Sequence, residues 1–277
     1  MAPLSRMHVS GRTGFVSDLK EAAVDIIGAL LRWRLWTSLA LHDVASRYRG
    51  SVLGPLWITV TTGAMVGGMG VVYSQLFNMS INDYIPWLAI GIVLWSLFAV
   101  VISEGCDTFI ASGGIIKQTA LPMFTFLGRM VFRNLINFAH QLVIVVVVIV
   151  WFDLWQRANV LGALFGFALS LGNLLWMALI FGIISARFRD VPQIVTAVMQ
   201  VLMFLTPVFW RPEAITNHRV VLQANPFFYM LEATRRPMLG EAVQDHTYSA
   251  LFVMLVVGWG LAFVIFARTR RRVVHYL

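Results

Sequence analysis

The chain has 277 residues, of which 59% are hydrophobic and only 12% charged, with a mean hydropathy of +0.78. Soluble domains carry roughly 25% charged residues, so a water-soluble globule is excluded and an all-α integral membrane protein is expected. The net charge is +8 and there is one cysteine, Cys106. An intrachain disulfide framework and a multi-cysteine metal site are excluded. Cations that cluster beside apolar spans point to membrane lipids or an anionic lipid substrate, not to nucleic acid.

Residues 1–14 lack an apolar core, so no cleavable signal peptide is expected, and residues 1–16 read as a flexible tail. From Ser17 to Leu41 the pattern is that of an amphipathic interfacial helix. Ser17 suits the N-cap, Asp18 and Glu21 favour the first turn, and Leu19, Ala23, Ile26, Ile27, Leu30 and Trp33 recur at helical spacing. Lys20, Asp25, Arg32 and Arg34 interrupt any reading as a span. A basic, aromatic, glycine-punctuated hinge follows, from His42 to Trp57, with Gly50, Gly54 and Pro55 where the chain would enter the bilayer.

About 20 apolar residues cross a bilayer core as a helix, and six stretches qualify: about residues 55–77, 84–103, 126–151, 160–184, 193–209 and 249–266. The first contains Gly63 and Gly67, and the fourth Gly162 and Gly166, both spaced as GxxxG. Such pairs read either as close helix contacts, including a dimer seam, or as ordinary membrane glycines. The third carries Arg129 and Arg133 near its start, able to snorkel or to line a polar path. It also carries a stripe of Asn134, Asn137, His140 and Gln141, suited to interhelix hydrogen bonds or to substrate. Residues 213–248 are amphiphilic enough to predict short re-entrant helices between the fifth and sixth spans. Residues 267–277 form a basic tail.

With the N-terminus placed in the cytoplasm, sixteen of the 21 lysines and arginines fall on the cytoplasmic side. Arg157, Arg211, Arg219, Arg235 and Arg236 fall outside. The bias predicts both termini in the cytoplasm. No GxxxxGK[ST], HExxH, GxSxG or CxxC occurs, so the chain is not expected to bind ATP itself or to be an enzyme. No pair of mid-span acids suggests a proton relay. A membrane channel or scaffold with compact cytoplasmic loops, able to dock onto a motor, remains.

The run Arg47-Tyr48-Arg49-Gly50-Ser51-Val52-Leu53-Gly54-Pro55-Leu56-Trp57 resembles the basic hinge of the permease subunits of polysaccharide-exporting ABC transporters, those of O-antigen, capsule and teichoic acid. Gly114-Ile115-Ile116-Lys117 through Leu121-Pro122 is similar to that family's coupling segment, and Phe188-Arg189-Asp190-Val191 to its loop before the fifth span. The stretch from Asn225 to Arg235 is similar to its external segment before the sixth span. Gln118 departs from the family's frequent second basic residue after Lys117.

The resemblance implies a homodimer in the bacterial inner membrane with two copies of a separate ATPase, which would hold ATP and Mg while this chain binds no cofactor. The cargo implied is a glycan on polyprenyl pyrophosphate, most readily O-antigen. On that footing Arg47 and Arg49 are candidates for the pyrophosphate, and Gly50, Gly54 and Pro55 for the hinge. Ser112, Gly114, Ile115, Ile116, Lys117, Pro122, Arg189 and Asp190 are candidates for ATPase coupling. Tyr73, Phe77, Tyr84, Trp87, Trp95 and Phe98 are candidates for glycan-facing aromatics. Asn225, Pro226, Phe227, Phe228, Tyr229 and Glu232 are candidates for an external gate. Competing expectations are a permease for capsule, teichoic acid, a small lipid or a drug, and a membrane-embedded glycolipid enzyme. The latter would have only Glu104, Asp107 and Asp190 to work with.

Overall fold

A computed structural model describes residues 14–214 and 219–277. The expected tail of residues 1–16 therefore lies almost wholly outside the described residues, as do four residues of the segment before the last helix. All regular structure among the described residues is helical.

Helix α1 (Phe15–Leu31) begins two residues before the expected Ser17 cap. Gly14 stands at the N-cap, and Ser17 donates its hydroxyl to the Gly14 carbonyl at 2.6 Å. The chain then breaks at Arg32 before α2 (Trp33–Arg47). One continuous helix was expected. The break is bridged by the Trp36 indole N–H, which donates to the Ala29 carbonyl at 3.1 Å. Gly50 and Gly54 follow at φ +82° and +53°, a left-handed backbone that glycine adopts without steric cost. They turn the chain from α2 into α3 (Leu56–Leu76).

Helix α4 (Ile81–Ala111) is capped by Ser80, whose hydroxyl accepts the Asp83 amide at 3.2 Å. It is the centre of the molecule, buried on nearly every side from Tyr84 to Phe109 and packed by α3 and by the helices that follow. It runs well past the expected end near residue 103, because Glu104 is neutralised by Arg133 and does not force an exit to water. The short α5 (Gly113–Gln118) precedes α6 (Phe124–Trp151), and a 3₁₀ turn (Leu154–Gln156) leads to α7 (Val160–Arg187). Asn159 caps α7 by accepting the Gly162 amide at 2.9 Å.

Helix α8 (Val191–Leu205) opens with Pro192 and is followed by a 3₁₀ turn (Pro212–Ala214), α9 (Arg219–Gln223) and α10 (Pro226–Met238). Helix α11 (Asp245–Tyr276) closes the chain. At 1.5 Å per residue its 32 residues reach about 48 Å, well beyond a hydrocarbon core of about 30 Å. The basic tail expected over residues 267–277 is helical as far as Tyr276.

Among the described residues, five helices are long and apolar enough to cross a membrane: α3, α4 with α5, α6, α7 and α11. Helix α8 is apolar but has only 15 residues, so by length alone it is not a sixth. The core seam lies between α4, α6 and α7, with α10 and α11 against α7. Gly166 makes that seam possible: a Cβ there would run into the Ala233 carbonyl of α10. Gly67, by contrast, has nothing within 4 Å of a would-be Cβ. The two glycine pairs thus divide internally: Gly166 serves a helix contact while a Cβ on Gly162 would meet only its own cap, Asn159, and a Cβ on Gly63 would meet Ile144 of α6 while Gly67 faces open space.

Candidate functional site

The chain's up-and-down course brings the ends of α2, α4, α7 and α11 and the starts of α3, α6 and α8 to one end of the bundle. That basic end holds the expected hinge and both candidate coupling segments, which lie up to about 140 residues apart in sequence.

A polar network fixes the hinge to the helices behind it. Arg129 of α6 donates Nε to Asp43 Oδ2 at 2.7 Å and Nη2 to Oδ1 at 2.5 Å. Arg133 reaches Asp43 at 3.3 Å and donates to Glu104 Oε2 at 2.7 Å, where Asn134 also donates at 2.6 Å. Burial works to raise the Asp43 pKa, but the hydrogen bonds and charges of Arg129 and Arg133 outweigh it and hold the carboxyl below its ordinary value. Neither arginine is left to snorkel freely; both are spent on α2 and α4. Of the stripe on α6, Asn134 and Gln141 make interhelix hydrogen bonds, to Glu104 and Ser96.

Arg47 ends this network. Its Nη2 lies 4.0 Å from Glu104, and the side chain is more than half exposed. Arg49 is exposed. On α5, Ile116 is buried, while Gly114, Ile115 and Lys117 face outward and Ser112 is half-buried. Pro122 touches α1, within 3.5 Å of a Cβ built on Gly28. Arg189 donates to the Tyr276 carbonyl at 3.0 Å, Arg187 lies over the Tyr276 ring, and Asp190 is exposed. The end of α11 thus backs both candidate coupling segments, through Tyr276 at Arg189 and Leu277 at Gly113. Beside them, Asp107 of α4 and Pro192, Gln193, Thr196, Ala197 and Gln200 of α8 line an open cleft of about 410 Å³.

The aromatic candidates separate. Tyr84, Trp87 and Phe98 are fully buried and Trp95 nearly so. Their faces are taken by the chain's own core. The Tyr84 hydroxyl donates to the Phe209 carbonyl at 2.8 Å, Trp87 lies under the Arg235 guanidinium at 3.3 Å, and Trp95 and Phe98 pack on Phe227. Tyr73 and Phe77 stack on each other with their rings 5.9 Å apart and keep part of their surface free.

The gate candidates form a bracket at the opposite end. Asn225 caps α10, accepting the Phe227 amide at 3.0 Å, and donates to Thr206 at 2.8 Å; Pro226 is the first helical residue. Phe227 and Phe228 are buried, and Tyr229 donates to the Gln223 carbonyl at 2.9 Å. Glu232, almost fully buried, pairs with Arg235 and Arg236. Arg235 is fully buried and donates to the Pro207 carbonyl at 2.7 Å, which ties the end of α8 to α10.

Sequence reasoning missed Asp25, Asp43 and Arg235. Asp25 carried a usable signal: it shares the inward stripe of α1 with Ala22 and Ala29, where an acid needs a partner. Among the described residues no cluster of three or more His, Cys, Asp or Glu could hold a metal. The arrangement offers exposed basic side chains beside a glycine turn at one end and a buried Glu232–Arg235–Arg236 cluster at the other.

A family model described as ABC-2 type transporter matches residues 34–239, most of the chain. The chain belongs to this family. Relatives include the O-antigen export system permease protein RfbA of Klebsiella pneumoniae, 23% identical over 226 residues, covering 78% of this chain and 86% of the relative. The protein of the same name from Myxococcus xanthus is 24% identical over 216 residues, covering 75% and 82%. As a family member with several apolar helices, the chain is the multi-pass membrane subunit of a transporter.

Proposed function

We propose that this chain is the channel-forming permease of an ABC exporter that moves a lipid-linked polysaccharide, O-antigen on polyprenyl pyrophosphate, across the bacterial inner membrane. The observation that carries the reading is the gathering of hinge and coupling segments at one basic end, in a chain whose relatives are named O-antigen export permeases. With no phosphate-loop motif in the sequence, ATP and Mg belong to two copies of a partner ATPase. That subunit docks on Lys117, Ile115 and the Arg189–Asp190 loop, all of which offer exposed surface.

The charge bias supports a cytoplasmic placement of the basic end and of both termini. There Arg47 and Arg49 meet the pyrophosphate, whose oxygens suit guanidinium forks. Two copies of the chain enclose the path. The outward Gly67 of α3, with Tyr73 and Phe77 beyond it, supplies a surface for close helix approach, and the exposed amides of Gln193 and Gln200 on α8 are groups that lipid tails would leave unsatisfied. Deletion of the gene, followed by analysis of surface glycan, tests the reading. The expected result is undecorated cells with glycan held inside. Unchanged surface glycan rejects it, and turnover of a lipid-linked sugar by the purified chain alone would establish an enzyme instead.

A further inference from the structure

Asp25 is an acid on the buried face of α1, 8% exposed. Both of its oxygens are used on one neighbour. Oδ2 accepts the Met123 amide at 3.0 Å and Oδ1 the Phe124 amide at 3.1 Å. These are first amides of α6, which have no partner within their own helix and carry the positive end of its dipole. Met123 and Phe124 end the loop that descends from α5. A second attachment comes from α11: Arg270 Nη1 lies 3.4 Å from Asp25 Oδ2 and donates to the Glu21 carbonyl at 3.1 Å, while Nη2 pairs with the Glu21 carboxylate at 2.6 Å. Beyond the Arg32 bend, α2 is tied by Asp43 to Arg129 and Arg133 in the next turns of the same α6. The interfacial helices therefore ride on the start of α6 at two points, and Arg47 lies at their far end.

We propose that Asp25 is a positioning residue that transmits movement of the α5–α6 coupling segment to the basic hinge. This rests on the exporter reading above. A push on α5 is passed through residues 119–123 to the α6 amides that Asp25 holds. Helix α1 then has to follow, and α2 and the hinge follow α1. Asp25 touches no substrate; it sets whether hinge and coupling segment move as one body.

The test uses the full permease–ATPase complex in lipid vesicles, with a spin label at Val52, a fully exposed hinge residue. The readouts are label mobility before and after vanadate trapping of the ATPase, ATP turnover, and glycan exported per ATP. The wild type is expected to show a trapping-dependent change in mobility. Asp25→Ala is expected to keep ATP turnover within about twofold while losing the label response, with export per ATP falling about tenfold. Asp25→Asn, which keeps one acceptor oxygen and so guards against a variant that does not assemble, is expected to fall between the two. A label response and export per ATP that survive both substitutions overturn the inference and leave the exporter reading intact. ATP turnover and export lost in equal proportion in both variants also overturn it, because that is the mark of a structural anchor. A wild-type complex that exports no glycan rejects the exporter reading itself.

Discussion

Asp43 shows how much one carboxylate decides at this surface. It receives two arginines from α6, and its pKa is lowered below the ordinary 3.8 by their hydrogen bonds and charges, against the opposing effect of burial. A group whose folded-state pKa is depressed contributes stability that is present above its unfolded pKa and is lost as pH falls through the folded value. The attachment of α2 should thus be complete at neutral pH and loosen only in acid below about pH 4. Limited proteolysis of the purified protein across a pH series measures this; loosening already at pH 6 would contradict it. Asp43→Asn should loosen α2 at every pH, at a cost of about 2 kcal/mol, because Arg129 loses its carboxylate at a partly buried site. None of this was legible in the sequence. The partners lie 86 and 90 positions away, and an exposed-looking Asp near a hinge carries no mark of what it will meet.

At the scale of elements, two glycines in the same motif have different consequences. Gly166 lets α7 approach α10 closely, so Gly166→Ala should destabilise the fold by about 1–3 kcal/mol through overpacking. A Cβ on Gly67 would enter open space, so Gly67→Ala should leave the chain's stability unchanged within about 0.5 kcal/mol. Thermal unfolding in detergent, followed by tryptophan fluorescence, separates the two. The sequence placed the helices well: α3, α6 and α7 start and end within a few residues of the apolar stretches that announce them. It failed where charge suggested an end. Helix α4 continues past Glu104 because Arg133 meets it. Helix α11 continues past Arg268 because Arg270 and Arg271 find Glu21 and Val273 is buried. The break at Arg32 was equally invisible, since both sides of it have helical periodicity.

For the whole molecule, the basic end is where the motor and the cargo would act, and substitutions there should separate the two roles. Lys117→Glu should reduce co-purification of the ATPase without affecting insertion, because Lys117 is exposed at the end of α5. Undiminished co-purification would remove Lys117 from the docking surface. Replacing Arg47 and Arg49 together with Gln should lower export while ATPase binding persists, since these side chains lie on the hinge side and not on α5. Normal export in that variant would exclude headgroup recognition at the hinge. The resemblance of the hinge and coupling segments to one family was readable because those motifs are local. Their meeting at one end followed from alternation of direction along the chain.

The sequence by itself determined the membrane class, the number of apolar helices to within one, the concentration of basic residues at one end and the family. Each of these depends on composition or on runs of neighbouring residues, and a bilayer makes those runs long and unambiguous. Only the tertiary structure decided which apolar faces meet protein and which remain outside. In a membrane helix both kinds of face are equally apolar, so periodicity cannot distinguish Trp87, sealed under Arg235, from Phe77, left partly free. The tertiary structure also decided the partners of Asp25, Asp43, Glu104 and Arg235. A buried charge must be paired, but the pair is made by helices that are neighbours in space and strangers in sequence.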